Sequence, residues 1–147
     1  MLRPYTLLTT TSAAIFLLLS IVSVPAYAEI AVVVHPGNAI NSLNAHDVKM
    51  IFLKKTKRFP DGNSANPVNQ KESLPIYDQF AEQILGRNAS QMKAYWSGKI
   101  FSGKATPPAE VNGDSAMKRK IASVPDAIGY INSNSVDSSV KVVYTIR

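Results

Sequence analysis

Glu29-Ile-Ala-Val-Val-Val34 decides how the chain folds. A strand with one wet face alternates apolar and polar residues. This run has no polar position after Glu29, so it reads as a strand buried on both faces. His35-Pro36-Gly37-Asn38 ends it as a turn. Further on, Asn44 is placed to cap a short helix running to about Lys54. Asp47 lies in its first turn, at the positive end of the helix dipole, and Val48, Ile51 and Phe52 share one face. Pro60-Asp61-Gly62 is a turn, Asn63 to Pro67 a loop, and Pro67 to Gln70 a short strand. Ser73 as cap and Pro75 in the first turn start a second helix. Ile76, Phe80 and Ile84 repeat along it, and Gly86 closes it. Ser90 is expected to cap the next helix, with Met92, Tyr95, Trp96 and Ile100 as its buried stripe. Ser102 to Pro108 cannot continue that helix. Asn112-Gly113-Asp114-Ser115 starts another, which buries Met117, Ile121 and Val124. Ala127 to Ile131 and Val140 to Ile146 read as strands, with a turn at Asp137-Ser138. Strands interleaved with helices predict an α/β fold, a sheet covered by helices on both faces.

The composition sets bounds. The chain has 147 residues, 16 Lys+Arg against 10 Asp+Glu, and no cysteine. That length suits one domain. The lack of cysteine excludes a disulfide framework, a zinc knuckle and a thiol nucleophile, and two histidines, His35 and His46, exclude a multi-histidine metal cage.

The N-terminal segment reads as an address. Arg3 is its only charge, Ala13 to Val24 is almost wholly apolar, Pro25 breaks the run, and Ala26-Tyr27-Ala28 is a small-x-small cleavage pattern. Together these make residues 1–28 a secretory signal peptide. The apolar core is shorter than the roughly 20 residues of a spanning helix. The mature domain is then 29–147, with no further stretch long enough to cross a bilayer, and the expected compartment is the periplasm.

Motifs for chemistry are sparse. G-x-S-x-G, the P-loop and H-E-x-x-H are missing. No carboxylate pair sits in an apolar setting that would split two pKa values. The expectation is a protein that is not an enzyme and needs no cofactor. Anion binding has more support, because a helix start offers free N–H donors and partial positive charge. One such start is at Ser73, after Gln70 and Lys71, and another is at Gly113-Asp114-Ser115. The loop Ser102-Gly103-Lys104-Ala105-Thr106 adds glycine, hydroxyls and a lysine. The candidate oxyanion contacts are Gln70, Ser73, Ser102, Gly103, Lys104 and Thr106. From spacing alone, a plain cap or turn is the better account of each, since nearly every helix needs a cap. The basic clusters Lys54-Lys55-Thr56-Lys57-Arg58 and Lys118-Arg119-Lys120 lack interleaved aromatics, so they read as solvated faces and not as a nucleic-acid surface.

Several stretches, in order, resemble the phosphate-binding periplasmic solute-binding proteins of ABC transporters, in particular short single-lobe relatives. They are Ile30-Ala-Val-Val-Val-His-Pro36, Val48-Lys-Met-Ile-Phe-Leu53 with Phe59-Pro-Asp-Gly62, and Pro67-Val-Asn-Gln70 with Phe80. Ala94-Tyr-Trp96, Ile100-Phe-Ser-Gly-Lys104 with Pro107-Pro108, and Ala127-Ile-Gly-Tyr130 complete the set. The resemblance implies a three-layer single lobe of a type II periplasmic binding protein, with a mixed sheet. It also implies a phosphate-like ligand held on helix N-termini and hydroxyls, with an arginine and a carboxylate nearby. Leu74 stands where that family has its serine, Tyr77 where short relatives have the arginine, and Lys54 where the family has glycine. Two functional readings follow. One is a periplasmic, non-enzymatic binder of phosphate or a related oxyanion, with either a second copy pairing to form a cleft or a partner supplying the missing wall. The other is an interaction module of an envelope complex that keeps the fold and has lost the ligand.

Overall fold

The computed structural model describes residues 27–147. Residues 1–26 of the expected signal peptide lie outside them. The elements in chain order are β1 (Ile30–Val34), α1 (Ala45–Phe52), β2 (Asn66–Gln70), α2 (Pro75–Phe80), a π-helical turn (Ala81–Leu85) and α3 (Ala89–Phe101). Then come β3 (Ala109–Val111), α4 (Asp114–Ser123), β4 (Ala127–Asn132), a 3-10 turn (Ser133–Ser135) and β5 (Lys141–Ile146). One five-stranded sheet has the order β3-β2-β4-β1-β5. β2 is parallel to β3 and to β4, and β1 is antiparallel to β4 and β5. The sheet is therefore mixed, with helices on both faces, as the residue order requires.

β1 explains this architecture. All five of its residues are buried. Ile30, Val32 and Val34 face a cluster built from α1, α2, the π turn and α3. Ala31 and Val33 face a smaller cluster with Met117 and Ile121 of α4. Each side chain of this run loses its water, a gain of about 1.5–3 kcal/mol for a Val or Ile. The larger cluster is centred on aromatic rings. Phe80 stacks on Tyr130 at 3.8 Å with the planes 5° apart, and Phe52 meets both edge-on at 4.8 and 5.7 Å.

Four local expectations need correction. Leu74, not Ser73, is the N-cap of α2, and no side chain caps that start. Asn88, not Ser90, caps α3, through a reciprocal box with Gln91 at 2.9 Å in each direction. Asn88 thus satisfies the N–H of the third helical residue, which Ser90, already inside the helix, cannot. Ile100 is 55% exposed and so outside the buried stripe, because α3 buries only Met92 and Trp96. Finally, β3 was not expected. Its residues have no strand pattern of their own, and it exists because Ala109, Glu110 and Val111 pair with Val68, Asn69 and Gln70. Asn44 caps α1 as expected, accepting from the Asp47 N–H at 2.8 Å, and Gly86 closes the π turn with φ 66°. Of the second basic cluster, Lys118 is bonded to Asp137 at 2.7 Å, which with Ser139 holds the Asp137 carboxyl down at about 2.

α4 sits close against the sheet at Gly129, where an added Cβ would lie 2.3 Å from Met117 Sδ. Met117 is wholly buried in the cluster with Ala31, Val33 and Ile121, so its thioether must shift within that packing to admit a methyl. Gly129→Ala is expected to lower stability by about 1–3 kcal/mol through overpacking, read as a lower urea midpoint with an unchanged slope.

Candidate functional site

Strand direction puts the site in place. Because β2, β3 and β4 run parallel, their carboxyl ends Gln70, Val111 and Asn132 share one edge of the sheet. α2 leaves that edge after β2, and α4 leaves it after β3, so both helices begin there. A crevice outside the carboxyl ends of parallel strands is where α/β sheets bind ligands. A cleft of about 340 Å³ lies at this edge, lined by Gln70, Gly113, Asp114, Asn132 and Gln79, with Ala28 and the Leu74-Pro75-Ile76 start of α2.

Gln70 organises the cleft. Its side chain is fully buried. Nε2 donates to the Tyr130 carbonyl at 3.0 Å and to Asp114 Oδ1 at 3.1 Å, and Oε1 accepts from the Gly113 N–H at 3.1 Å. Three of the four bonds a carboxamide can make are thereby used, which is what burial of such a group demands. The Gln70 N–H donates to the Tyr130 hydroxyl at 3.3 Å, and that hydroxyl donates to Asn69 Oδ1 at 3.4 Å. Burial pushes the Tyr130 phenol far above its ordinary pKa, so it stays protonated.

Asp114 is the charged group of the cleft. Oδ2 accepts from the Asn132 N–H at 3.1 Å, Asn132 Nδ2 at 3.0 Å and Ser135 Oγ at 2.7 Å. Oδ1 accepts only from Gln70, which leaves it a spare lone pair. Neither α2 nor α4 has a side-chain cap. Pro75 has no N–H and Leu74 and Tyr77 already donate within the chain, so α2 offers little beyond the Ile76 N–H. α4 keeps its first-turn N–H groups after Gly113, whose own N–H is held by Gln70. No Lys, Arg or His is among the lining residues.

Of the six residues singled out in the sequence, Gln70 lines this cleft. Ser73 lies exposed in the turn before α2, outside the lining. Ser102, Gly103, Lys104 and Thr106 follow the carboxyl end of α3, also outside the lining. There the N–H groups of Ser102, Gly103 and Lys104 donate to the carbonyls of Gly98, Ile100 and Lys99, and Ser102 Oγ donates to the Gly98 carbonyl at 2.9 Å. Tyr77 is buried, its phenol pushed up by desolvation and then by Glu72, Glu110 and Asp78. Sequence reasoning missed Gln79, Asn132 and the carboxylate role of Asp114. For Asp114 the one signal was a carboxylate in the first turn of a helix whose glycine cannot cap by side chain.

The chain matches no family profile and no curated protein sequence. It does match solved structures. One is a protein from Clostridium perfringens described as a phosphate ABC transporter substrate-binding protein, solved with bound phosphate. The match is at TM-score 0.63 and 22% identity, over 79% of this chain and 45% of that one. Another is an ABC-type phosphate transport receptor from Vibrio cholerae, at TM-score 0.62 and 20% identity, over 79% and 46%. A third is PstS from Borrelia burgdorferi, at 0.58 and 14%, over 79% and 47%. The fold is the shared feature. This chain spans less than half the length of each of these structures, so it is a single-lobe version of the fold. Among the described residues no helix is long and apolar enough to cross a membrane.

Gln70→Leu keeps the bulk and removes all three bonds, leaving the Gly113 N–H, the Tyr130 carbonyl and Asp114 Oδ1 each short of a partner. A loss of about 3 kcal/mol is expected in urea unfolding, together with a large shift of the Gly113 amide in a ¹⁵N spectrum.

Proposed function

We propose that this chain is an exported, non-enzymatic solute-binding domain, 29–147, whose cleft takes a protonated oxyanion of the phosphate type. The leader, 1–28, would be removed on export to the periplasm. The observation that carries the ligand reading is Asp114 Oδ1, a carboxylate oxygen with a spare lone pair, facing a cleft flanked by two uncapped helix starts. Backbone N–H groups suit the anionic oxygens of such a ligand. Asp114 suits an oxygen that still carries a proton, because a hydroxyl donates to it where a bare oxyanion is repelled. The likeness to structures described as phosphate transport proteins supports the same class. Those proteins are transport components, which supports the non-enzymatic part of the reading.

Calorimetry at neutral pH tests it. Phosphate is expected to bind at least about tenfold more tightly than sulfate, the worth of one unsatisfied buried acceptor. Asp114→Asn, whose amide donates to a bare oxyanion, is expected to erase or reverse that preference. Equal heats for both anions on the native chain, or none at millimolar concentration, end this reading.

One observation favours the second reading, an envelope interaction module. Phe101 is 96% exposed beside Ile100, an apolar pair at the end of α3. A partner protein, or a second copy, would cover it. In light scattering at micromolar concentration the native chain is then expected to exceed monomer mass, and Phe101→Ser to return it to monomer. Monomers in both cases remove the second-copy form of this reading.

A further inference from the structure

The same strand geometry that gathers the helix starts also brings the beginning of β1 to them. β1 is antiparallel to β4, and Ile30 pairs with Asn132, the residue that holds Asp114. The Ser133 N–H donates to the Glu29 carbonyl at 2.9 Å. Ala28 itself lines the cleft, and its carbonyl accepts from Gln79 Nε2, another lining group. The peptide bond that the Ala26-Tyr27-Ala28 pattern marks for cleavage therefore lies at the cleft, not on a remote tail.

We propose that removal of the leader after Ala28 completes the binding site, by freeing Gln79 and by leaving the α-ammonium of Glu29 at the cleft mouth as its cation. This rests on the oxyanion reading above. The reaction is amide hydrolysis by a signal peptidase. The Ala28–Glu29 C–N bond breaks, water gives its hydroxyl to the Ala28 carbonyl carbon and a proton to the Glu29 nitrogen, and Ala28 departs with the leader. The nitrogen takes up one more proton from solvent, since α-amines titrate at about 7.7–8.0. A neutral amide nitrogen thus becomes a positive charge in a cleft whose lining has Asp114 and no basic side chain. Lys71 and Glu72 follow Gln70 at this edge, Glu110 lies on β3 and Asp78 in the first turn of α2, but none of them lines the cleft, and the Glu29 carboxylate pairs with Arg147 at 3.4 Å. The uncleaved chain lacks the charge and has one of the two Gln79 Nε2 hydrogens tied to the Ala28 carbonyl, so it holds anions weakly until it is exported.

Three forms of the chain test this. One starts at Glu29, one at Tyr27, and one at Glu29 with an acetylated α-amine, whose acetyl carbonyl stands in for that of Ala28. Thermal melts establish that each is folded. The form with the free Glu29 amine is expected to bind inorganic phosphate about tenfold or more tightly than the other two, as a charge-assisted bond implies. Its Gln79 side-chain amide resonances are expected to shift from their positions in the Tyr27 form, even without phosphate. Equal phosphate affinity in all three forms overturns this proposal and leaves the oxyanion reading standing. No binding by any form overturns both, and an unmoved Gln79 amide overturns the unblocking step on its own.

Discussion

The buried carboxamide of Gln70 is the interaction on which the site depends. It joins the end of β2 to the Tyr130 carbonyl of β4, to the Gly113 N–H and to the Asp114 carboxylate at the start of α4. A polar group at this depth is costly unless its donors and acceptors are met, so its partners are held to one arrangement. Asp114, fixed from the other side by Asn132 and Ser135, then points one oxygen toward the cleft. The wall beneath this network is equally constrained, because the Tyr130 ring stacks on Phe80 while its hydroxyl accepts from the backbone of Gln70.

The direction of the strands does the rest. Parallel β3, β2 and β4 place every helix start that follows them on one edge, and antiparallel β1 returns its own beginning to that edge. Donors from two helix starts, one carboxylate, three carboxamides and the region of the expected cleavage site thus meet in one cleft. Nothing equivalent forms after α3. A helix carboxyl end offers carbonyls, and the N–H groups of Ser102, Gly103 and Lys104 are used to satisfy them. The short edge strand β3 matters here more than its size suggests, since it carries the chain to Gly113 and so fixes where α4 begins.

The likeness to longer phosphate transport structures bears on this cleft in one way. Those chains have more than as much sequence again as this one aligns to. A charge held at a cleft open to water gains less from each contact, because water screens it. Charge placed directly at the cleft therefore matters more here than it would in an enclosed site, and the lining side chains supply only a negative one.

By itself the sequence determined the layers and most of the elements. The unbroken Ile30–Val34 run demanded cover on both faces, and the periods of Val48-Ile51-Phe52 and Met117-Ile121 supplied the helices that provide it. These signals were legible because burial is written locally, as spacing along one element. Gln70 was visible as a polar residue ending a strand, and Gly113-Asp114 as a helix start, but nothing in their spacing joined them. Only the tertiary structure decided that β3 exists, that Asn88 rather than Ser90 caps α3, and that Asp114, Asn132, Gln79 and Ala28 share a cleft. These are contacts between residues far apart in the chain. They follow from which strands pair and in which direction, a choice made by the packing of the whole sheet and not by any one segment.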